Sequence, residues 1–177
     1  MRRTVTCGLL AVGVAAGCSD NANTPVDPDP IVVPVYSRGF GDISIFHTHA
    51  KGRNEVPPND SRAQGIALFS SRGGDRLGYT LIVANIENVT QSHIHLAPAG
   101  VNGGIVAWLY PSAPPSQLIP GRSQGVLASG IINDDDVIGD LDGLGVEGLL
   151  EAIRAGNTYV NVHTSQFPPG EIRGQIR

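Results

Sequence analysis

Short runs of alternating apolar and polar residues, separated by glycine and proline, dominate the chain from Ile43 onwards. The whole chain holds 23 glycines and 13 prolines, which interrupt strands and build turns. Because successive side chains of a strand point to opposite faces, such runs predict strands. The runs are residues 43–50, 64–70, 77–85, 91–96, 104–110, 124–132, 157–164 and 170–177. We therefore predict a mainly β fold, an antiparallel Greek-key sandwich or barrel of about eight short strands.

One segment departs from the strand pattern. Its apolar residues are spaced i, i+3, i+4 and i+7, which places them along one side of an α-helix. They are Val146, Leu149, Leu150 and Ile153. Gly156 follows at a position where helices commonly end. The pattern predicts one short helix over about residues 145–155.

The first 17 residues have the features of an export signal. Arg2 and Arg3 precede a mostly apolar stretch that is too short to cross a bilayer as a helix. Residues 15–18, Ala-Ala-Gly-Cys, are typical of a bacterial lipobox. We therefore predict a lipoprotein signal over residues 1–17 and a lipid on Cys18. That lipid would anchor the exported protein at the cell surface or the periplasmic face of a membrane. An ordinary cleaved signal peptide is the alternative.

Composition divides the remaining chain in two. Residues 18–40 are rich in Asp, Asn and Pro, which predicts a flexible tether. Residues 41–177 have the length of one domain. Removing residues 1–17 takes two arginines from 12 basic residues, which leaves 10 against 16 acidic residues. Such an acidic domain is not expected to bind nucleic acid.

Polar side chains share one face in three of the predicted strands. They are His93, His95, Tyr159, Asn161, His163, Glu171, Arg173 and Gln175. The alternate positions are mostly Ile, Leu or Val, which would face the core, so we predict an outer or rim position for the polar set. If the last two strands pair across their turn, His163 falls opposite Glu171 and Asn161 opposite Arg173. A carboxylate beside an imidazole would orient the ring.

This polar rim contains a candidate metal site. His93 and His95 lie about 7 Å apart on one strand face, and His163 is the natural third ligand. Three imidazoles suit copper or zinc better than calcium or magnesium. The residues predicted to surround them on the rim are Glu55, Asn161, Glu171 and Arg173. The alternative is a set of surface histidines that hydrogen-bond without a metal.

Two further histidines are left outside this site. His47 and His49 form a second His-x-His, but they share strand parity with Ile43 and Ile45, so we expect them on the core side or just beyond the strand end. No catalytic set accompanies the histidines, since Ser92 lies in no G-x-S-x-G motif. We therefore identify no catalytic residues.

Several phrases together resemble the signature of the CHRD domain, which is named for chordin and is common in exported bacterial proteins. They are residues 54–58 (NEVPP), 92–95 (SHIH), 100–104 (GVNGG), 156–164 (GNTYVNVHT) and 170–175 (GEIRGQ). The resemblance covers about residues 41–177. It implies an extracytoplasmic β domain that serves as a module rather than as an enzyme.

A more distant likeness is to copper–zinc superoxide dismutase, a Greek-key barrel. Its copper site is similar to the set His93, His95 and His163. This chain has no bridging histidine, no zinc loop and no structural disulfide, so the likeness implies a similar fold rather than dismutase activity.

Two functions remain open. The first is a non-catalytic binding or structural module, tethered through Cys18, whose polar rim recognises a protein or ligand partner. The second is a copper- or zinc-binding protein that uses the three histidines and could be redox-active. Metal content would separate the two.

Overall fold

In the part of the chain that the structure describes, seven antiparallel strands surround one apolar core. A computed structural model describes residues 43–177; the predicted signal (1–17) and tether (18–40) lie outside the described residues. The strands are β1 (Ser44–Lys51), β2 (Gln64–Ser71), β3 (Arg76–Leu96), β4 (Gly104–Tyr110), β5 (Ile119–Asn133), β6 (Thr158–Thr164) and β7 (Ile172–Gln175). One α-helix, α1 (Gly145–Arg154), lies between β5 and β6. Within this part of the chain, no helix is both long and apolar enough to cross a membrane.

The long strand β3 organises the sheet. Its first half pairs with β2 and β5, and its second half pairs with β6 and β4. Strand β1 pairs with β2 on one side and with β7 on the other, while β7 also pairs with β6. The sheet thereby closes on itself through β1, β2, β3, β6 and β7. The predicted mainly β, antiparallel architecture with one helix is confirmed.

The strand count differs from the prediction at one place. The runs predicted as separate strands, 77–85 and 91–96, are parts of β3. Asn85 and Asn88 adopt φ values of 56° and 54°, and the pairing register shifts on both sides of them. Asparagine tolerates positive φ, and bulges bend a strand without ending it. The polar interruption therefore bends one strand instead of separating two.

The apolar core is built from the inward faces of the strands and one face of α1. Leu77, Leu81 and Ile86 of β3 are fully buried, as are the four apolar residues that predicted the helix. Full burial of each such side chain contributes about 1.5–3 kcal/mol. The helix covers the barrel with the face that its sequence spacing predicted.

The outer face of β6 differs from the sequence prediction. Every residue of β6 is buried, including the polar positions that the sequence placed on an exposed rim. The segments that follow β1 and β3 are hydrogen-bonded over this face. Asn102 donates to the carbonyl of Val56, and Asn59 donates to the carbonyl of Glu171. The predicted polar rim is therefore a buried polar layer, defined here as Glu55, His93, His95, Tyr159, Asn161, His163, Glu171 and Arg173.

Candidate functional site

Pairing of β3 with β6 brings three histidines together. His95 pairs with Tyr159, and His163 pairs with Gln91, two residues before His93. All three imidazoles lie on the same side of the sheet. One ring nitrogen from each lies within 4.8 Å of the others. The structure therefore brings together the three residues that the sequence proposed as ligands.

Two of the rings are held by backbone carbonyls. Nδ1 of His95 is 3.0 Å from the carbonyl oxygen of Gly103, and Nδ1 of His163 is 2.8 Å from that of Pro168. A carbonyl oxygen only accepts, so each Nδ1 carries the proton and each Nε2 presents a lone pair. Metal-binding histidines commonly donate their other ring N–H in this way.

The third ring completes the cluster from β3. Nδ1 of His93 is 3.3 Å from Nε2 of His163 and donates to it, because that Nε2 has no proton. Within the described residues, Nε2 of His93 and Nε2 of His95 are buried without a hydrogen-bond partner. An unsatisfied buried polar atom costs about 1–3 kcal/mol. A metal ion or a hydrogen-bond donor that binds either nitrogen would remove this cost.

Burial keeps all three imidazoles neutral. It lowers the pKa of His93 to about 3, and the neighbouring His163 and His95 add to the effect. Burial also lowers the pKa of His95 to about 4, although its bond to Gly103 acts in the opposite direction. The pKa of His163 is lowered by burial as well. Neutral imidazole is the form that coordinates metal ions.

The spacing of the nitrogens fits a transition metal after a small closure. Zinc–nitrogen bonds of about 2.0–2.1 Å place two ligands of a tetrahedral site about 3.4 Å apart. His93 Nδ1, 3.3 Å from His163 Nε2, could serve as a ligand only after its proton had moved to Nε2. The ring nitrogens lie within 4.8 Å of one another, so the rings would have to approach by up to about 1.4 Å. An all-imidazole set favours copper or zinc.

Aromatic side chains pack around the histidines. The Tyr159 ring is stacked on His95, with centroids 4.8 Å apart and an angle of 5°. On its other face lies Arg173, whose Cζ is 3.4 Å from the ring centroid. Trp108 meets His93 edge-on at 4.3 Å. Strand parity predicted that Tyr159 lies on this face. The contact of Trp108 with His93 could not be predicted, because the sequence shows only that Trp108 lies in a strand.

Arg173 is buried among neutral acceptors. Its guanidinium donates to Oδ1 of Asn102 and to the carbonyls of Pro98 and Val101. Within residues 43–177, no carboxylate lies within ion-pair distance of it. Arg173 therefore ties the segment after β3 to the polar layer while its positive charge remains unpaired.

The other predicted rim residues have separate roles. Asn161 is the register partner of Arg173, as expected, and its Nδ2 donates to Oε1 of Glu55 at 2.8 Å. Burial raises the pKa of Glu55 to about 7, and the charge of Arg173 acts in the opposite direction. Glu171 accepts a 2.6 Å hydrogen bond from Ser61.

The expected orientation of His163 by Glu171 is not found. Within the described residues, His163 Nδ1 bonds to the carbonyl of Pro168 instead, since the Glu171 side chain turns to Ser61. Sequence reasoning could not identify backbone carbonyls as the orienting groups, because any residue supplies one.

His47 and His49 lie apart from the histidine cluster. Both are exposed on β1, and both line a cavity between β1, β7 and the segments around residues 53–58 and 99–100. The expected core-side position, shared with Ile43 and Ile45, is wrong, because this face of β1 is exposed. The two histidines are nevertheless absent from the group of three converging histidines.

Comparison with known proteins gives one match. A family model described as the CHRD domain matches residues 46–176, a span that contains the whole polar layer. No curated protein and no solved structure matches the chain significantly.

Proposed function

The chain belongs to the CHRD family, and we propose that it is an extracytoplasmic, lipid-tethered module that binds one copper or zinc ion. The ligands would be His93, His95 and His163. The observation that supports this proposal best is the state of His95. Its Nδ1 is fixed by Gly103, and its Nε2 is buried, proton-free and without a partner beside two further imidazoles. The module is a binding domain, and no catalytic residues are proposed.

The electrostatics of the site favour an ion of low charge. The three ligands are neutral, and the pKa of His95, which is lowered chiefly by burial, is lowered further by the positive charge of Arg173. The same field would penalise a divalent cation more than a monovalent one. Cu(I) is therefore expected to bind more tightly than Cu(II) or Zn(II), and bound copper would have a raised reduction potential.

A purely structural role for the histidines is the second candidate. His93 Nδ1 and His163 Nε2 are 3.3 Å apart, so these two rings hydrogen-bond to each other without an ion. Under this alternative, removing one histidine lowers stability and no metal is bound. The cost would be about 1–3 kcal/mol for the polar partner left unsatisfied.

Metal titration separates the two candidates. The protein is purified without chelator or affinity histidines, analysed for metal, and titrated with Cu(I), Cu(II) and Zn(II). We expect one ion per chain, lost in His95→Ala and kept in the control His49→Ala, which removes an exposed histidine of the other His-x-His. Saturation at about 100 times Kd should stabilise the protein by about 2.7 kcal/mol. Absence of binding at micromolar metal would eliminate the metal proposal and leave the structural one.

The tether is tested separately at Cys18. Its support is the sequence motif at residues 15–18. We expect labelled palmitate to enter the wild-type protein in a bacterial host, and the protein to fractionate with membranes. Cys18→Ser should lose both properties. A Cys18→Ser protein that remains in the membrane fraction would contradict the lipid tether.

A further inference from the structure

A cavity lies on the outer face of β1 and β7, beside the histidine cluster but separate from it. Its volume is about 650 Å³, within the range of about 300–1,000 Å³ that is usual for small-ligand sites. The titratable residues of its wall are His47, His49, Arg53, Glu55, Arg173 and Arg177.

Strand pairing brings basic residues together on this face. His47 and Arg177 exchange backbone hydrogen bonds of 2.8 and 2.9 Å, so the two residues are direct neighbours across the strands. In the same register Lys51 pairs with Arg173. Arg53 follows immediately in the 3₁₀ turn after β1. The outer face of β1 and β7 therefore gathers basic groups from three adjacent stretches of backbone.

The positive charge of the wall is not neutralised by nearby acids. In the described part of the chain, Arg53, Arg173 and Arg177 have no carboxylate within ion-pair distance. Arg53 and Arg177 are exposed, whereas only 2% of Arg173 is exposed and its hydrogen-bond partners are neutral. A buried guanidinium without a counter-ion is costly and favours a negative charge nearby.

One side-chain carboxyl group belongs to the wall. Glu55 is buried and accepts a hydrogen bond from Asn161. Its pKa is raised to about 7, so it opposes the three arginines with less than a full negative charge near neutral pH. The wall of the cavity therefore carries a net positive charge, which is mainly that of the arginine guanidinium groups.

We propose that this cavity binds a small organic anion that carries a carboxylate or a phosphate group. Arg53 and Arg177 would contact the anion, because a planar guanidinium bonds both groups through paired N–H donors. The buried Arg173 would attract the anion through its positive charge rather than by contact. This site is distinct from the proposed metal centre, since the wall contains none of the three clustered histidines.

Titration of metal-free protein with inorganic phosphate and with citrate, in buffer of low ionic strength, tests the proposal. We expect a Kd of about 1 mM or lower for at least one probe. Arg53→Gln and Arg177→Gln should each weaken binding about tenfold, as expected for loss of a charge-assisted hydrogen bond. Arg72→Gln, in the exposed turn between β2 and β3, removes the same charge outside the cavity and should change the Kd less than twofold. Glu55→Gln should tighten binding.

The two probes distinguish the sources of the anion. Binding of phosphate alone indicates a phosphate ligand, and binding of citrate alone indicates a carboxylate ligand; either result supports the site. Absence of binding by both probes at about 10 mM would overturn the proposal. So would an equal loss in Arg72→Gln and Arg53→Gln, because it would show general attraction to a charged surface.

Discussion

Replacement of Arg173 by lysine should destabilise the domain more than replacement by methionine. The guanidinium is buried and donates to Asn102 and to two backbone carbonyls. It also lies over the Tyr159 ring. These contacts require a planar donor set, and lysine, although it has the same charge, supplies a compact ammonium on a flexible stem.

The magnitudes follow from these contacts. Each hydrogen bond from a charged donor is worth about 1.5–3 kcal/mol, and a desolvated cation–π contact about 2 kcal/mol. Arg173→Met loses all of these contacts. It also removes the buried charge, and burying that charge costs several kcal/mol in the wild-type protein. We therefore expect Arg173→Met to cost about 1–3 kcal/mol. Arg173→Lys keeps the buried charge and loses most of its partners, so it should cost about 3–5 kcal/mol.

Urea denaturation of metal-free wild-type and variant proteins measures both values. Arg154 is the matched control, because it is exposed and its ion pair with Glu147 is at the surface. Arg154→Lys and Arg154→Met should each change the free energy of unfolding by less than about 0.5 kcal/mol. If Arg173→Lys were as stable as Arg173→Met or more stable, the guanidinium would be hydrated, and the account of a buried, unpaired charge would be wrong.

Further predictions concern pH and backbone space. Because burial lowers the pKa values of His93 and His95 from 6.5 to about 3 and about 4, the unfolded chain binds more protons. The free energy of unfolding should therefore fall as the pH decreases from about 6.5 to about 4, measured by denaturation. Glu55, with its pKa raised from 4.5 to about 7, acts oppositely: its contribution is lost as the pH rises through about 7, and Glu55→Gln should abolish that loss. Gly170 has φ 139°, and a Cβ there would lie 2.7 Å from Oε1 of Glu55, so Gly170→Ala should cost about 2–4 kcal/mol by the same measurement. At Gly74, where φ is 83° and nothing lies within 4 Å, alanine should cost only about 1 kcal/mol.

Most of the fold could be predicted, because the alternation of apolar and polar residues in a strand depends only on residues that are neighbours in sequence. The bounds of β2 and β4 and the buried face of α1 follow from side-chain periodicity alone. The continuity of β3 does not, because Asn85 and Asn88 are typical turn residues that here form bulges. Whether such residues end a strand depends on the partner strand, and β5 comes more than 30 residues later in the chain.

The residues of the candidate site could be predicted from the sequence, but their burial could not. Parity placed His93, His95 and His163 on one face, and the pairing of β3 with β6 brought them together. Their burial depends partly on a chain segment distant in sequence, the segment after β1, where Asn59 donates to the carbonyl of Glu171. That segment has no periodic pattern, so the sequence predicted an exposed rim where the protein has a buried layer.

Binding of the proposed metal ion and binding of the proposed anion should be coupled through the positive charge of Arg173 in the buried polar layer. Arg173 lies in the wall of the anion cavity, and only the Tyr159 ring separates it from His95. Its charge therefore attracts an anion on one side and opposes a cation on the other. Burial is the main cause of the lowered pKa of His95, and the charge of Arg173 adds to it. An anion in the cavity would offset part of this field and so favour the metal ion. Because such coupling is reciprocal, the metal ion would favour the anion by the same free energy.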